Sequence, residues 1–144
     1  MIKKADINDL NAVTELMLCL WKGHDRKELE KENERLLSSE NDAVFLYFDK
    51  ENAAGFAQCS LRHDYVEGTK SSPVGYLEGI FVAEPYRGRG AASLLLSACE
   101  NWAENMGCRE FASDCEISNS ASLKFHLKLG FEEANRIICF KKYI

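Results

Sequence analysis

The sequence predicts an α+β protein (mixed α/β), with a mixed, mostly antiparallel β-sheet flanked by helices. Three observations predict it. Short apolar or alternating runs at 43–48, 54–61 and 75–82 have strand length and turn residues between them. Apolar residues at helical spacing flank these runs, over 9–20 and 90–106. The 144 residues contain no repeat, no low-complexity stretch and no linker with room for a second domain, so one unit spanning 1–144 is predicted.

The elements follow in order. Ile2 to Ala5 reads as a short strand. Leu10, Val13, Leu16, Met17 and Leu20 predict a helix over 9–20, with Asp6 or Asn8 as its cap. Trp21 to Asp25 breaks that pattern, and a second, polar helix spans 26–37. Only Leu29, Leu36 and Leu37 give it an apolar side, so it is predicted to be peripheral. Ala43 to Phe48, AVFLYF, suits a central strand, and Ala54 to Leu61 its antiparallel neighbour across the turn 49–52. Arg62 to Pro73 is a polar loop or the frayed end of a hairpin, and Gly75 to Val82 returns as a strand. Leu95, Cys99, Trp102 and Met106 then mark a helix over 90–106 that Gly107 terminates. Glu110 to Ser113 is a short strand. Ser118 or Asn119 can cap a helix through Leu129 that stops at Gly130. Arg136 to Lys142 is a final strand, with Phe131 to Glu133 as its partner. Its apolar stretch Ile137-Ile138-Cys139-Phe140 can pair across two subunits of a homodimer or within one chain.

Composition narrows the function. An apolar fraction of 46% and a charged fraction of 28% are ordinary for a soluble globular protein able to bury a core without metal or disulfide. The six cysteines lie singly in apolar segments, with no C-x-x-C pair and no histidine cluster. They therefore read as reduced thiols in a cytoplasm, and no metal is predicted. No apolar run approaches the roughly 18 residues of a membrane span, and the first ten residues have no signal-peptide core. A net charge of −5, without a basic patch beyond Lys141-Lys142, argues against nucleic acid and suits a cationic small molecule.

Two features carry chemistry. Glu78 interrupts the otherwise apolar strand GYLEGIFV, where a carboxylate is costly unless a cation or proton donor meets it. Just after it, Arg87-Gly88-Arg89-Gly90-Ala91-Ala92 opens the next helix. Strand, glycine turn and helix together make a phosphate site, because the first helical turn has free N–H groups and glycine lets an anion approach the backbone. The third glycine of a dinucleotide fingerprint and the Lys-Ser or Lys-Thr pair of a P-loop are both missing. The motif alone leaves open a helix start with no ligand.

In context, Arg87-x-x-Gly90-x-Ala92 resembles the acetyl-CoA pyrophosphate motif of the GNAT N-acetyltransferase superfamily. Asn119 to Phe131, ending in Leu129-Gly130-Phe131, looks like its second cofactor helix. Trp21, His63 to Gly68, Ser71 to Val74, Leu77 to Val82 and Cys108 to Asp114 are similar to aminoglycoside 6′-N-acetyltransferases over nearly the whole chain.

The resemblance implies a GNAT fold with a splayed sheet and direct acetyl transfer from acetyl-CoA, in a ternary complex, to the 6′-amine of an aminoglycoside, conferring resistance. It implies that Ile80, Phe81 and Val82 offer backbone to the donor's arm. Arg87, Gly88, Arg89, Gly90, Ala91 and Ala92 would hold its pyrophosphate, and Asn119 and His126 would contact it. Glu78 and Asp114 are implied as the catalytic acids facing the cationic substrate, with Trp21 and Tyr65 beside its sugar rings. Glu78 takes the amine proton directly or through water, or anchors the ammonium; read as a residue alone, it is equally a carboxylate paired with a structural Arg or Lys. His126 stands where many relatives carry an acidic tyrosine, so the acid is histidine or water. Asn135 stands where another carboxylate is expected. Other amines such as polyamines, or a non-catalytic acyl-CoA-binding domain, are the alternatives.

Overall fold

Five of the seven predicted strands form, and they pair in chain order. A computed structural model describes residues 1–144. Its sheet runs β1 (Ile2–Lys4), β2 (Asp42–Asp49), β3 (Asn52–Arg62), β4 (Val74–Val82) and β5 (Phe111–Ala112). The first four strands are antiparallel neighbours, and β5 joins β4 in parallel. The helices are α1 (Leu10–Leu20), α2 (Arg26–Ser38), α3 (Ala91–Asn105) and α4 (Ser120–Lys128).

Strand alternation sends side chains to two cores, one on each side of the sheet. Ala43, Phe45, Ala57, Cys59 and Leu77 pack against Leu95, Leu96 and Cys99 of α3. Val44, Leu46 and Phe56 pack against Val13, Leu16 and Met17 of α1 and Leu29 of α2. Phe56, Leu46, Met17 and Leu95 are wholly buried, each contributing about 1.5–3 kcal/mol by leaving water. The peripheral reading of α2 holds: only Leu29 and Asn33 are buried on it, and Asn33 donates to the buried Thr14 hydroxyl at 3.0 Å.

Some boundaries move for local reasons. A 3₁₀ turn, Ile7–Asp9, precedes α1 because Asp6 and Asp9 form a reciprocal capping box around it. Arg62, assigned by sequence to the loop, is the last residue of β3, paired with Val74.

The expected strands at 131–133 and 136–142 do not form; residues 131–144 are neither helix nor strand. Phe131 packs on the α3 core, and the Asn135 amide donates to Glu67 at 2.7 Å. Beyond it Ile138 and Phe140 stand 80% and 90% exposed. A short apolar stretch becomes a strand only where a ladder meets its N–H and C=O groups, and β5 offers a two-residue edge. No helix is long and apolar enough to cross a membrane.

Candidate active site

The site begins with an irregularity in the β3–β4 ladder. Gln58 pairs with Gly79 and Cys59 with Leu77, so Glu78 is an extra residue on β4. Such a bulge breaks alternation and re-aims side chains. Leu77 points to the α3 core. After the bulge Ile80 and Val82 return to that core, and Phe81 faces α1 and α2. Glu78 is left on the α1–α2 side, in the wall of a cleft of about 320 Å³ that Trp21, His24, Glu32, Asn33 and Gln58 also line.

The Glu78 carboxylate is held from β3. Ser60 donates to Oε1 at 2.6 Å, and the Arg62 guanidinium forks both oxygens, with Nη2 at 3.0 and 3.1 Å. The same guanidinium lies over the Tyr76 ring, its Cζ 3.4 Å from the centroid. The Tyr76 hydroxyl donates to Oδ2 of Asp114, just beyond β5. Burial, then the hydrogen bond and charge of Asp114, push the Tyr76 phenol well above its ordinary range, so it remains a donor at neutral pH. Glu78, Arg62, Tyr76 and Asp114 therefore form one continuous line across β3, β4 and β5.

Trp21 also reaches this strand. Its ring lies so close over Gly79 that a β-carbon there would come within 2.5 Å of it, and it packs against Phe56 at 5.7 Å between ring centroids. Glycine at 79 thus serves the close approach of an aromatic ring as well as the bulge. Tyr65 is apart from this group: it is 75% exposed on the 63–73 loop, and its hydroxyl accepts from the Gly68 N–H at 3.3 Å. That loop is tied to the start of β5 by Glu110, which accepts from Lys70 N at 2.8 Å and the Ser71 hydroxyl at 2.5 Å.

The other half of the site is built from backbone. β5 pairs with β4 only at Gly75 and Tyr76, so from Leu77 to Val82 that edge of β4 has no strand partner. This is the predicted splay. The turn after β4 is braced by Arg87, whose Nε donates to the Val82 carbonyl at 2.7 Å. Gly88 and Gly90 have φ of 75° and 80°, and a β-carbon at either would meet nothing within 4 Å. Gly90 caps α3 without a side-chain hydrogen bond, which leaves the N–H groups of its first turn for a ligand. Arg89 lies over the Tyr86 ring at 5.6 Å, and Ala91 is buried in the core.

Asn119 caps α4, accepting from Ser122 N at 3.0 Å. His126 Nδ1 is 2.7 Å from the Ser122 carbonyl, which can only accept, so Nδ1 carries the hydrogen. Nε2 lies 2.8 Å from the Ser113 hydroxyl. Both ring nitrogens are engaged in joining α4 to the end of β5. No three His, Cys, Asp or Glu side chains gather as a metal-binding group.

Comparison with known proteins accords with this arrangement. The family model described as Acetyltransferase (GNAT) family matches residues 10–131. Aminoglycoside N(6′)-acetyltransferase type 1 of Salmonella typhimurium is 46% identical over 123 residues, 85% of each chain. The protein of that name from Serratia marcescens is 37% identical over 143 residues, 99% of this chain and 98% of the other. A structure of AAC(6′)-Iy in complex with the bisubstrate analogue CoA-S-monomethyl-acetylneamine superposes with a TM-score of 0.96 at 41% identity, covering 100% of this chain and 98% of that one.

The chain belongs to the GNAT acetyltransferase family.

Its donor turn fits the family's cosubstrate, acetyl-CoA. Glycines with open space above them and an uncapped α3 suit a pyrophosphate, and the unpaired edge of β4 suits an amide-bearing arm. Sequence reasoning for this GNAT chain missed Ser60, Arg62, Tyr76 and Glu32. Ser60 and Arg62 lie 18 and 16 residues from Glu78 and reach it only through strand register. Their signal was the one-residue spacing between them, which sets two polar side chains on one face at the end of an apolar strand.

Proposed function

We propose that the protein is an aminoglycoside 6′-N-acetyltransferase that confers resistance by transferring acetyl from acetyl-CoA to the drug's 6′-amine. One observation carries the reading: the bulge lifts Glu78 out of the ladder on the strand whose unpaired edge adjoins the acetyl-CoA turn. The names of the relatives support the substrate class.

Bound acetyl-CoA supplies the acetyl group as a thioester. Backbone N–H groups of Ile80 and Val82, on the open edge of β4, bind its arm and polarise the carbonyl, whereas the Phe81 backbone faces β3. Arg87, Gly88, Arg89, Gly90, Ala91 and Ala92 form the pyrophosphate turn. Asn119 orders the start of α4, and His126 fixes α4 to the end of β5. Glu78 receives the substrate ammonium and takes its proton, directly or through a water; the neutral amine attacks the thioester carbon, the C–N bond forms as the C–S bond breaks, and coenzyme A leaves as a thiolate that takes a proton from His126 or water. Asp114, pinned by Tyr76, offers a second carboxylate to another ammonium. Trp21 forms a flat wall of the cleft, and Tyr65 an outer wall on its loop. The attack takes place with both substrates bound.

The reading extends to one domain over 1–144, acting in the cytoplasm, where six unpaired thiols are stable. Neither nucleic acid nor membrane enters it. It also extends to a homodimer, supported by the row of exposed Ile137, Ile138, Phe140 and Tyr143. Light scattering at micromolar concentration tests the dimer, and a monomer would overturn it. For the reaction, the purified protein is given acetyl-CoA with kanamycin or tobramycin, and separately with spermidine or a peptide amine. The expected result is an aminoglycoside product carrying one acetyl group, located at the 6′-nitrogen by NMR. Turnover confined to spermidine or the peptide would overturn it.

A further inference from the structure

The two oxygens of the Glu78 carboxylate are held unequally. Oε1 accepts from the Ser60 hydroxyl at 2.6 Å and from Arg62 Nη2 and Nε at 3.0 and 3.3 Å, whereas Oε2 accepts only from Nη2, at 3.1 Å. Three hydrogen bonds converge on Oε1, and Oε2 keeps a lone pair for a further hydrogen. The two holders differ as well. The Arg62 side chain is charged and 43% exposed. An exposed ion pair is weakly held, and an ammonium arriving at Glu78 repels the guanidinium. Ser60 is neutral and 9% exposed, and it stands on β3 directly opposite Tyr76. Its hydroxyl makes one hydrogen bond, to Glu78. An arriving cation does not repel that hydroxyl, and letting go of Glu78 would leave it nearly buried without a partner, which is unfavourable. Ser60 is absent from the lining of the cleft, so it reaches a bound amine only through Glu78.

We infer that Ser60 is a positioning residue for the acetyl transfer: it keeps hold of Oε1 while the amine binds, so that Oε2 is the atom that takes the proton. The ammonium N–H bond breaks as an O–H bond forms at Oε2, directly or through one water, and the serine hydroxyl retains its own hydrogen. This rests on the function proposed above, in which Glu78 receives the amine. Glu78 needs such a holder because it is the extra residue of the bulge, with no ladder partner to fix its direction. Released from Ser60, the carboxylate turns about its side-chain bonds and spends less time in line with the amine.

The test measures kcat and KM for kanamycin and for acetyl-CoA in the wild type, Ser60→Ala and Ser60→Thr, and repeats the alanine change in a Glu78→Gln background. The expected result is that Ser60→Ala lowers kcat roughly tenfold, with both KM values within about twofold of the wild type, and that Ser60→Thr restores kcat by returning the hydroxyl. In the Glu78→Gln background the alanine change should have almost no further effect, because its only route to the reaction is gone. A variant that had merely lost structure would bind acetyl-CoA less tightly by calorimetry and would lose activity in both backgrounds. The comparison of backgrounds decides alone should the threonine methyl group not fit. An unchanged kcat in Ser60→Ala overturns the role of Ser60, and so does an equal fall in both backgrounds. A raised kcat overturns it too, since the hydroxyl would then only temper the base. Absence of kanamycin turnover by the wild type overturns the proposed function and this role with it.

Discussion

The donor half and the acceptor half of the site share strand β4 but are made of different material. The donor half is backbone: an unpaired strand edge, two glycines at positive φ and an uncapped helix start, all contiguous from Leu77 to Ala92. The acceptor half is side chains drawn from β3, β4, the end of β5 and the exit of α1, aligned by one bulge. A backbone site of this kind suits a pyrophosphate and an amide arm, the parts of the family's cosubstrate. Side-chain sites can change with single substitutions, so on the proposed function selectivity for the amine resides there.

The sharpest way to separate the halves is Glu78→Gln. It keeps shape and removes charge. We expect kcat to fall roughly 10²- to 10⁴-fold, with acetyl-CoA affinity by calorimetry unchanged. A parallel loss of acetyl-CoA binding would erase the division.

Gly79→Ala probes the acceptor wall. The new methyl group would stand 2.5 Å from Trp21 Cζ2 and displace the ring. We expect about 1–3 kcal/mol of destabilisation from overpacking and a higher KM for the aminoglycoside, read by thermal melting and steady-state kinetics. The donor counterpart is Gly90→Ala. Nothing lies within 4 Å of the new methyl group, so only the φ of 80° is penalised, by about 1–2 kcal/mol. We expect KM to rise for acetyl-CoA and not for the amine.

The smallest effect concerns the loop bearing Tyr65. Ser71 and Lys70 hydrogen bonds hold the Glu110 carboxyl below its ordinary value of 4.5. A depressed folded value means that its stabilisation is complete above 4.5 and is lost as pH falls through the lower folded value. Between neutral pH and 5 the wild type should therefore melt at constant temperature with respect to this group. Below 4.5 it should lose stability more steeply than Glu110→Gln, as scanning calorimetry at stepped pH would show.

The same contrast explains what was legible in the sequence. The donor turn is a local motif, and its glycines and helix start stand where Arg87 to Ala92 predict them. Glu78 was visible as a charge in an apolar strand. Its partners were not, because Ser60 and Arg62 meet it only through a register shifted by one residue, and no local pattern encodes such a shift. Arg62 looked like loop for the same reason: its strand character comes from pairing with Val74. The end of the chain shows the opposite error. Ile137 to Phe140 has the composition of a strand, but composition cannot supply the neighbouring edge.

The bulge also limits how this stretch can diverge. Leu77, Ile80 and Val82 reach one core while Phe81 reaches the other, only because one residue of β4 goes uncounted in the ladder. Removing Glu78 would restore even alternation with Leu77, Ile80, Phe81 and Val82 in their present layers, but would take the carboxylate out of the cleft; removing Leu77 instead would put Glu78 opposite Cys59, on the α3 side. Replacements here can be absorbed one at a time; a change in length cannot. Descendants of this chain can therefore alter their choice of amine by exchanging residues around Glu78, with the count of residues from Tyr76 to Val82 held constant.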